Sequence, residues 1–260
     1  MKNRSIHKPG SYLVLIVILL IVIFSFLNID FSGITISKEF IQPIIDGLLS
    51  PEWAFINTGG SEDLISLLLV TISIGFLGTL TGAIFALPLS FLAAKNLWSE
   101  NSIVPKLGKF LFNILRSFPE LVYAIIFVRV VGPGPFAGVL AIGVSQIGML
   151  GKLFTEDMEA LPKDSVESME AVGANFWQTM VYARLPILNP IYISYALNHF
   201  EIAVRSAAVL GLVGAGGIGA PLVFAIQARH WPRVSIILLG IIILVFVIDA
   251  VTGHVRKKLR

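Results

Sequence analysis

The sequence predicts an all-α, polytopic membrane protein with about six transmembrane helices, and three observations carry that prediction. Hydrophobic residues make up 56% of the 260-residue chain and charged residues only 13%, where a soluble domain carries roughly 25% charged residues. Mean hydropathy is +0.87. The apolar residues gather into six runs, at about 12–29, 65–93, 110–131, 136–155, 187–211 and 234–252. Each is near or above the roughly 17–25 residues a helix needs to cross a bilayer. A chain of this size cannot hide that much apolar surface from water, so its natural solvent is lipid. Cysteine is absent, which excludes a disulfide framework, a thiolate metal site and a cysteine nucleophile.

The first run is too long for the apolar region of a signal peptide. Asn28-Ile29-Asp30-Phe31 lacks the small-residue cleavage pattern, so the run reads as a retained anchor. An acidic loop follows over 30–63, with Asp30, Glu39, Asp46, Glu52, Glu62 and Asp63. Residues 1–64 therefore form one region, an anchor helix and outer loop, and 65–260 form the membrane core. The second run contains Gly75, Gly78, Gly82 and Pro88 and is expected to tilt or kink. Gly132 to Pro135 is a tight turn that makes a helical hairpin of runs three and four.

Basic residues orient the chain. Lys2, Arg4 and Lys8 precede the first run. Lys95, Lys106 and Lys109 lie between runs two and three, and Lys152, Lys163 and Arg184 between four and five. Arg256, Lys257, Lys258 and Arg260 close the chain. All fall on one side, so both termini are expected in the cytoplasm. Arg229 and Arg233 run against this pattern, as an exception or as functional cations on the outer face.

In this topology 152–186 is the longest cytoplasmic loop. Its latter part, ESMEAVGANFWQTMVYARLP over 167–186, is amphipathic. Leu161-Pro162-Lys163-Asp164 is a helix start, with proline suited to the first turn and Asp164 to the positive helix end. A helix over about 165–172 is expected, then a bend at Gly173. Phe176, Trp177, Met180 and Val181 supply a second apolar face, and Pro186 ends the segment and starts span five. Such a segment either lies on lipid or is a handle that another protein grips.

The same residues resemble the EAA loop of ABC importer permeases: Glu-Ala-Ala, three residues, Gly, nine residues, Ile, one residue, Leu-Pro. Here Glu167 takes the first position, Gly173 the glycine and Leu185-Pro186 the end, without a gap. Ser168 and Met169 replace the alanines, and Ala183 the isoleucine. The resemblance implies a type I ABC importer permease architecture. It also implies a coupling loop, 156–186, seated in a groove of a cytoplasmic ATPase. Glu167, Glu170, Ala171, Gly173, Leu185 and Pro186 would carry that coupling. Arg116 to Val122, Phe127-Val128-Arg129, Gly132 to Leu140, Gly148 to Phe154 and Val209 to Gly219 are similar to phosphonate-type permeases. That similarity implies import of phosphonate or a phosphite-like anion. The implied partners are a homodimer mate, two ATPase subunits holding ATP and Mg, and an extracytoplasmic substrate-binding protein. No cofactor or metal is expected on this chain, and no nucleic-acid partner. The implied location is the cell inner membrane.

Charges within spans cost roughly 2.5–3.5 kcal/mol each on insertion scales, so they pair or line a polar path. Arg116 with Glu120, and Glu201 with Arg205, are spaced i,i+4 and are expected to pair within their helices. They either staple helices or, with Arg129 and Gln146, line an anion path in which arginine forks suit phosphonate oxygens. His199 is a further polar group within a span. Gly214, Gly216, Gly217 and Gly219 satisfy a GxGxxG pattern. The next acidic residue is Asp249, and the preceding run is a membrane helix rather than a strand, so a dinucleotide site is rejected. The glycines instead allow a turn, a close helix contact or an anion nest. Two other classes compete with the importer subunit. A proton-coupled secondary transporter would use Glu120, Glu201 or His199 but has no need of an EAA loop. An intramembrane enzyme lacks any HExxH, GxSxG or paired-Asp motif.

Overall fold

The computed structural model describes residues 9–28, 37–60 and 62–259. Lys2, Arg4, Lys8, Asp30 and Arg260, used above for orientation and loop charge, lie outside the described residues. Every described element is helical. The chain divides into two compact units, Met1–Ile45 and Asp46–Arg260.

The first unit holds α1 (Pro9–Asn28) and the beginning of α2 (Lys38–Leu49). From Tyr12 onward α1 is apolar all round and exposed, the pattern of a helix surrounded by lipid.

The second unit begins with the end of α2 and a 3₁₀ turn, Trp53–Ile56. It continues with α3 (Leu64–Ala93), α4 (Val104–Ser117), α5 (Glu120–Val131), α6 (Pro135–Ala160), α7 (Lys163–Ala171), α8 (Phe176–Thr179), α9 (Leu185–Leu210), α10 (Gly219–Gln227) and α11 (Trp231–Leu259). Four helical stretches among the described residues are long and apolar enough to cross a membrane: Leu64–Ala93, Pro135–Ala160, Phe176–Val213 and Trp231–Lys258.

The third expected span, 110–131, is not one helix. Pro119 lacks an N–H and forces Phe118 out of the helical region, to φ −98° and ψ 132°. The result is α4, a break and α5. Phe112 of α4 lies against Gly151 of α6, and Leu115 against Gly148. Ser145 of α6 reaches Glu120 at the start of α5. The two short helices therefore run in sequence along α6 and against its direction. Tyr123 of α5 donates to the carbonyl of Leu115 at 2.9 Å, which satisfies one of the acceptors left open at the end of α4. Gly132 and Gly134, at φ 90° and 145°, turn the chain into α6, completing the expected hairpin.

α3 packs mainly on α6 and α9. A methyl added at Gly75 would lie 2.7 Å from Val204, at Gly78 2.6 Å from Ile142 and at Gly82 2.4 Å from Gln146. The buried residues around this junction include Ala124, Ala141, Ala203, Ala207 and Ala215. Small residues let the backbones approach closely, which is how helices associate where lipid competes with apolar side chains. Nearer the 161–186 loop the core is bulkier, with Leu150, Phe154, Met158, Leu188 and Tyr192. The Phe154 and Tyr192 rings stack at 4.1 Å, and the Tyr192 hydroxyl donates to the Phe154 carbonyl at 2.8 Å.

The segment after Asp46 is fastened to the start of α11. Ser235 donates to the Leu48 carbonyl at 2.7 Å and the Glu52 N–H to the Pro232 carbonyl at 3.1 Å. Arg233 grips the Glu52 carboxylate with two nitrogens, at 2.9 and 3.0 Å, and lies over the Phe55 ring. These bonds hold the Glu52 carboxyl below its usual range, against the opposing effect of partial burial. Arg233 is thus an internal fastener.

Candidate functional site

Sequence 161–186 builds a projecting structure at one end of the bundle. Pro162 takes an extended conformation and precedes α7, and Asp164 lies in its first turn, where a carboxylate suits the helix dipole. The helix starts two residues earlier than expected and ends at Ala171. The Gly173 N–H donates to the Glu170 carbonyl at 2.9 Å and the Ala174 N–H to the Met169 carbonyl at 3.0 Å. This is the paired cap that requires a left-handed residue, and Gly173 has φ +81°. Asn175 and Gln178 then form a reciprocal capping box, with bonds of 2.9 and 2.8 Å. The Asn-x-x-Gln spacing was the available signal for that second start.

Pro186 does not end the segment, contrary to expectation. The helix passes from α8 through a π turn, Met180–Arg184, directly into α9. The Leu185 N–H reaches back five residues to the Met180 carbonyl. Pro186 follows with no N–H to place, so one widened turn absorbs the proline without breaking the rod. α8 is therefore part of one 38-residue helical stretch, Phe176–Val213.

Most of this structure is uncovered. Glu167, Glu170, Ala171, Gly173 and Pro186 are exposed, and Leu185 is half-buried. Val172, Trp177 and Tyr182 are each more than 70% exposed. Large apolar side chains standing beside two carboxylates form an exposed patch of the kind that a protein partner or a membrane surface covers.

The charged candidates within the spans are arranged differently from the i,i+4 expectation. Arg116 and Glu120 fall on opposite sides of the break at Phe118-Pro119. Glu120 accepts from the Ser145 hydroxyl at 3.2 Å, and Arg116 forms no ion pair among the described residues. Glu201 does not pair with Arg205. Its carboxylate takes Arg256 at 2.7 Å and the Thr252 hydroxyl, both from α11. A buried carboxylate needs more than one donor, and the two residues one turn apart on α11 supply them at once. Arg205 is exposed and shares a cavity of about 220 Å³ with Glu201 and Asp249. Arg129 is exposed at the last turn of α5. Gln146 is fully buried with neither amide atom hydrogen-bonded, and Nδ1 of buried His199 has no partner among the described residues.

The glycine loop is closed packing. Gly214, Gly216 and Gly217 all have positive φ. A methyl at Gly216 would stand 2.6 Å from the Pro135 nitrogen, and one at Gly219 2.1 Å from the Ala208 carbonyl oxygen. The Gly214 carbonyl accepts from the Gly134 N–H, and the Ile218 N–H donates to the Thr71 hydroxyl, both at 2.9 Å. These groups are committed to the protein's own turn.

The family described as binding-protein-dependent transport system inner membrane component matches residues 86–260. The phosphite transport system permease protein PtxC of Stutzerimonas stutzeri is 37% identical over 89% of this chain and 74% of its own length. The phosphate-import permease protein PhnE of Mycolicibacterium smegmatis is 31% identical over 76% of this chain, a match that spans 37% of that relative. The putative cryptic phosphonate transport system permease protein PhnE2 of Escherichia coli K12 is 40% identical over 45% of this chain and 97% of its own length. An inward-facing structure of the MetNI methionine ABC transporter superposes with a TM-score of 0.61 at 19% identity, covering 86% of this chain and 100% of that one. That likeness concerns the fold, and it agrees with the expected type I architecture. The match over most of the chain does not favour the secondary-transporter reading, and this chain belongs to the binding-protein-dependent transport system inner membrane components, as a membrane permease subunit rather than an enzyme.

Proposed function

We propose that this chain is the membrane-spanning subunit of an ATP-driven importer for a small phosphorus oxyanion, phosphonate or phosphite. The observation that carries the coupling part is the uncovered α7–α8 structure, joined without a break to α9. The substrate class is supported by relatives named for phosphite, phosphate and phosphonate. In this reading both termini and the 156–186 loop face the cytoplasm, and a homodimer mate completes the path. Two ATPase subunits, which hold ATP and Mg, grip the exposed face of α7 and α8 through Glu167, Ala171 and Gly173, and Glu170, which lines the cavity shared with Arg184, acts in coupling from within the loop. Their closure displaces α8, and the rod through the π turn, Leu185 and Pro186 moves α9. An extracytoplasmic binding protein delivers the anion. Arg205, Arg116 and Arg129, none engaged in an ion pair among the described residues, are the cations of the path. Glu120, Gln146 and Glu201 supply polar groups along it.

The test is co-purification with the ATPase, followed by ATPase stimulation with phosphite, phosphonates and phosphate in reconstituted vesicles. Gly173→Asp or Glu167→Lys is expected to abolish coupling while the protein still inserts. Normal transport by these variants overturns the coupling role. Arg205→Ala is expected to impair transport with the ATPase retained. Equal loss of assembly and transport would make Arg205 a helix staple instead.

A further inference from the structure

Beneath α7 lies a cavity of about 250 Å³, lined by Asn96, Glu159, Val166, Glu167, Glu170 and Arg184 among others. Its charges are not equivalent. Glu159 is already engaged, with Lys109 Nζ at 2.8 Å and the Lys95 N–H at 2.7 Å. Arg184 is not. One of its terminal nitrogens, Nη1, is buried and has no hydrogen-bond partner among the described residues, a state that costs free energy until a partner arrives. Glu170 is the carboxylate that acts electrostatically on it, yet the two form no ion pair among the described residues.

Helix α7 is short and lightly packed. It has nine residues, a length at which an isolated helix is marginal. Its main packing is on the Met180–Arg184 turn and α8. Glu170 lies in its last turn, where no basic residue is present and where a carboxylate opposes the helix dipole. A cation brought to Glu170 would relieve this unfavourable end and the unpaired guanidinium together. Arg184 is the last residue of the π turn and is bonded to the first residue of α9. A bond from Glu170 to Arg184 therefore joins the projecting helix to the base of the span.

We propose that Arg184 is a positioning residue of the coupling structure: pressing α7 toward the bundle closes the cavity, Glu170 meets the Arg184 guanidinium, and that ion pair carries the displacement of α7 into α9. The proposal rests on the coupling reading above and adds the contact through which α7 is held.

The chain has no cysteine, so a spin label on Ser168→Cys reports on α7 without background. The assembled complex with its ATPase and binding protein is used throughout, with phosphite as the transported probe. In the Ser168→Cys background, seating the ATPase immobilises the label. With Arg184→Gln added, the ATPase still co-purifies, the label stays about twofold more mobile, and phosphite moved per ATP falls about fivefold. Arg184→Lys recovers at least half of both, because it keeps the charge. Arg184→Gln combined with Glu170→Gln is no more mobile than Arg184→Gln alone, as expected of two ends of one contact. Unchanged mobility and unchanged phosphite per ATP in Arg184→Gln overturn the proposal. So does an Arg184→Lys variant as impaired as Arg184→Gln. If the unsubstituted chain does not retain the ATPase, the coupling reading falls and takes the proposal with it. If it retains the ATPase but moves no phosphite, only the substrate reading falls, and label mobility decides the proposal.

Discussion

Gly173 and Gly216 share a backbone conformation, at φ +81° and +82°, and differ in what surrounds them. A methyl at Gly216 would meet the Pro135 backbone at 2.6 Å, whereas nothing lies within 4 Å of one at Gly173. The same contrast separates the two ends of α9. At one end the Gly211–Gly219 turn is pressed against α3, α6 and α9, and its polar groups bond within the protein. At the other end the turn between α7 and α8 has satisfied caps, exposed aromatic rings and open space. Glycine is demanded by both packing and backbone conformation at the first and by backbone conformation alone at the second. Open space above a well-formed turn leaves room for a partner, and a filled one does not.

The largest effect that would break this comparison is Gly219→Ala. Its methyl would stand 2.1 Å from the Ala208 carbonyl oxygen, with Gly211 at 2.8 Å. Backbone must move on both sides, at a cost of about 3 kcal/mol or more. Thermal unfolding of the detergent-solubilised protein should show the steepest loss here. Gly216→Ala adds left-handed strain to a clash and should cost about 2–3 kcal/mol in the same assay. Gly173→Ala meets only the strain, about 1 kcal/mol, and should insert and unfold close to the unsubstituted protein. A drop at Gly173 as large as at Gly216 would mean that the open turn is covered from within the chain.

The smallest effect concerns the Glu52–Arg233 fastener. The Glu52 carboxyl is held below its ordinary value of 4.5, so it favours the folded state above that pH. The contribution is lost as pH falls below about 4.5 and through the lowered value. Both partners are partly exposed, at 41% and 27%, so the loss is under about 1 kcal/mol. Arg233→Gln should remove that part of the acid dependence of unfolding and leave the rest.

Much of the fold was legible in order along the chain. The hairpin at Gly132 to Pro135 and the left-handed end of α7 follow from residue type, because proline and glycine act within a few residues of themselves. The break in the third run carried its own signal at Phe118-Pro119, which hydropathy averages away since both neighbours are apolar. The π turn before Pro186 was not legible. A proline at that place is compatible with a new helix or with a widened turn, and the packing of Met180 and Leu188 into the inner core selects the continuous rod.

By itself the sequence determined the solvent, the runs, the spacing from Glu167 to Leu185-Pro186 and the family these residues resemble, since each depends on local composition or interval. Only the tertiary structure decided which charges meet. Glu201 takes Arg256, 55 positions away, instead of Arg205 one turn along its own helix. It likewise placed Arg184 and Glu170 in the lining of one cavity. Such pairings depend on how helices cross, and a buried carboxylate goes to whichever helix offers several donors at once. An interval in sequence cannot report that geometry.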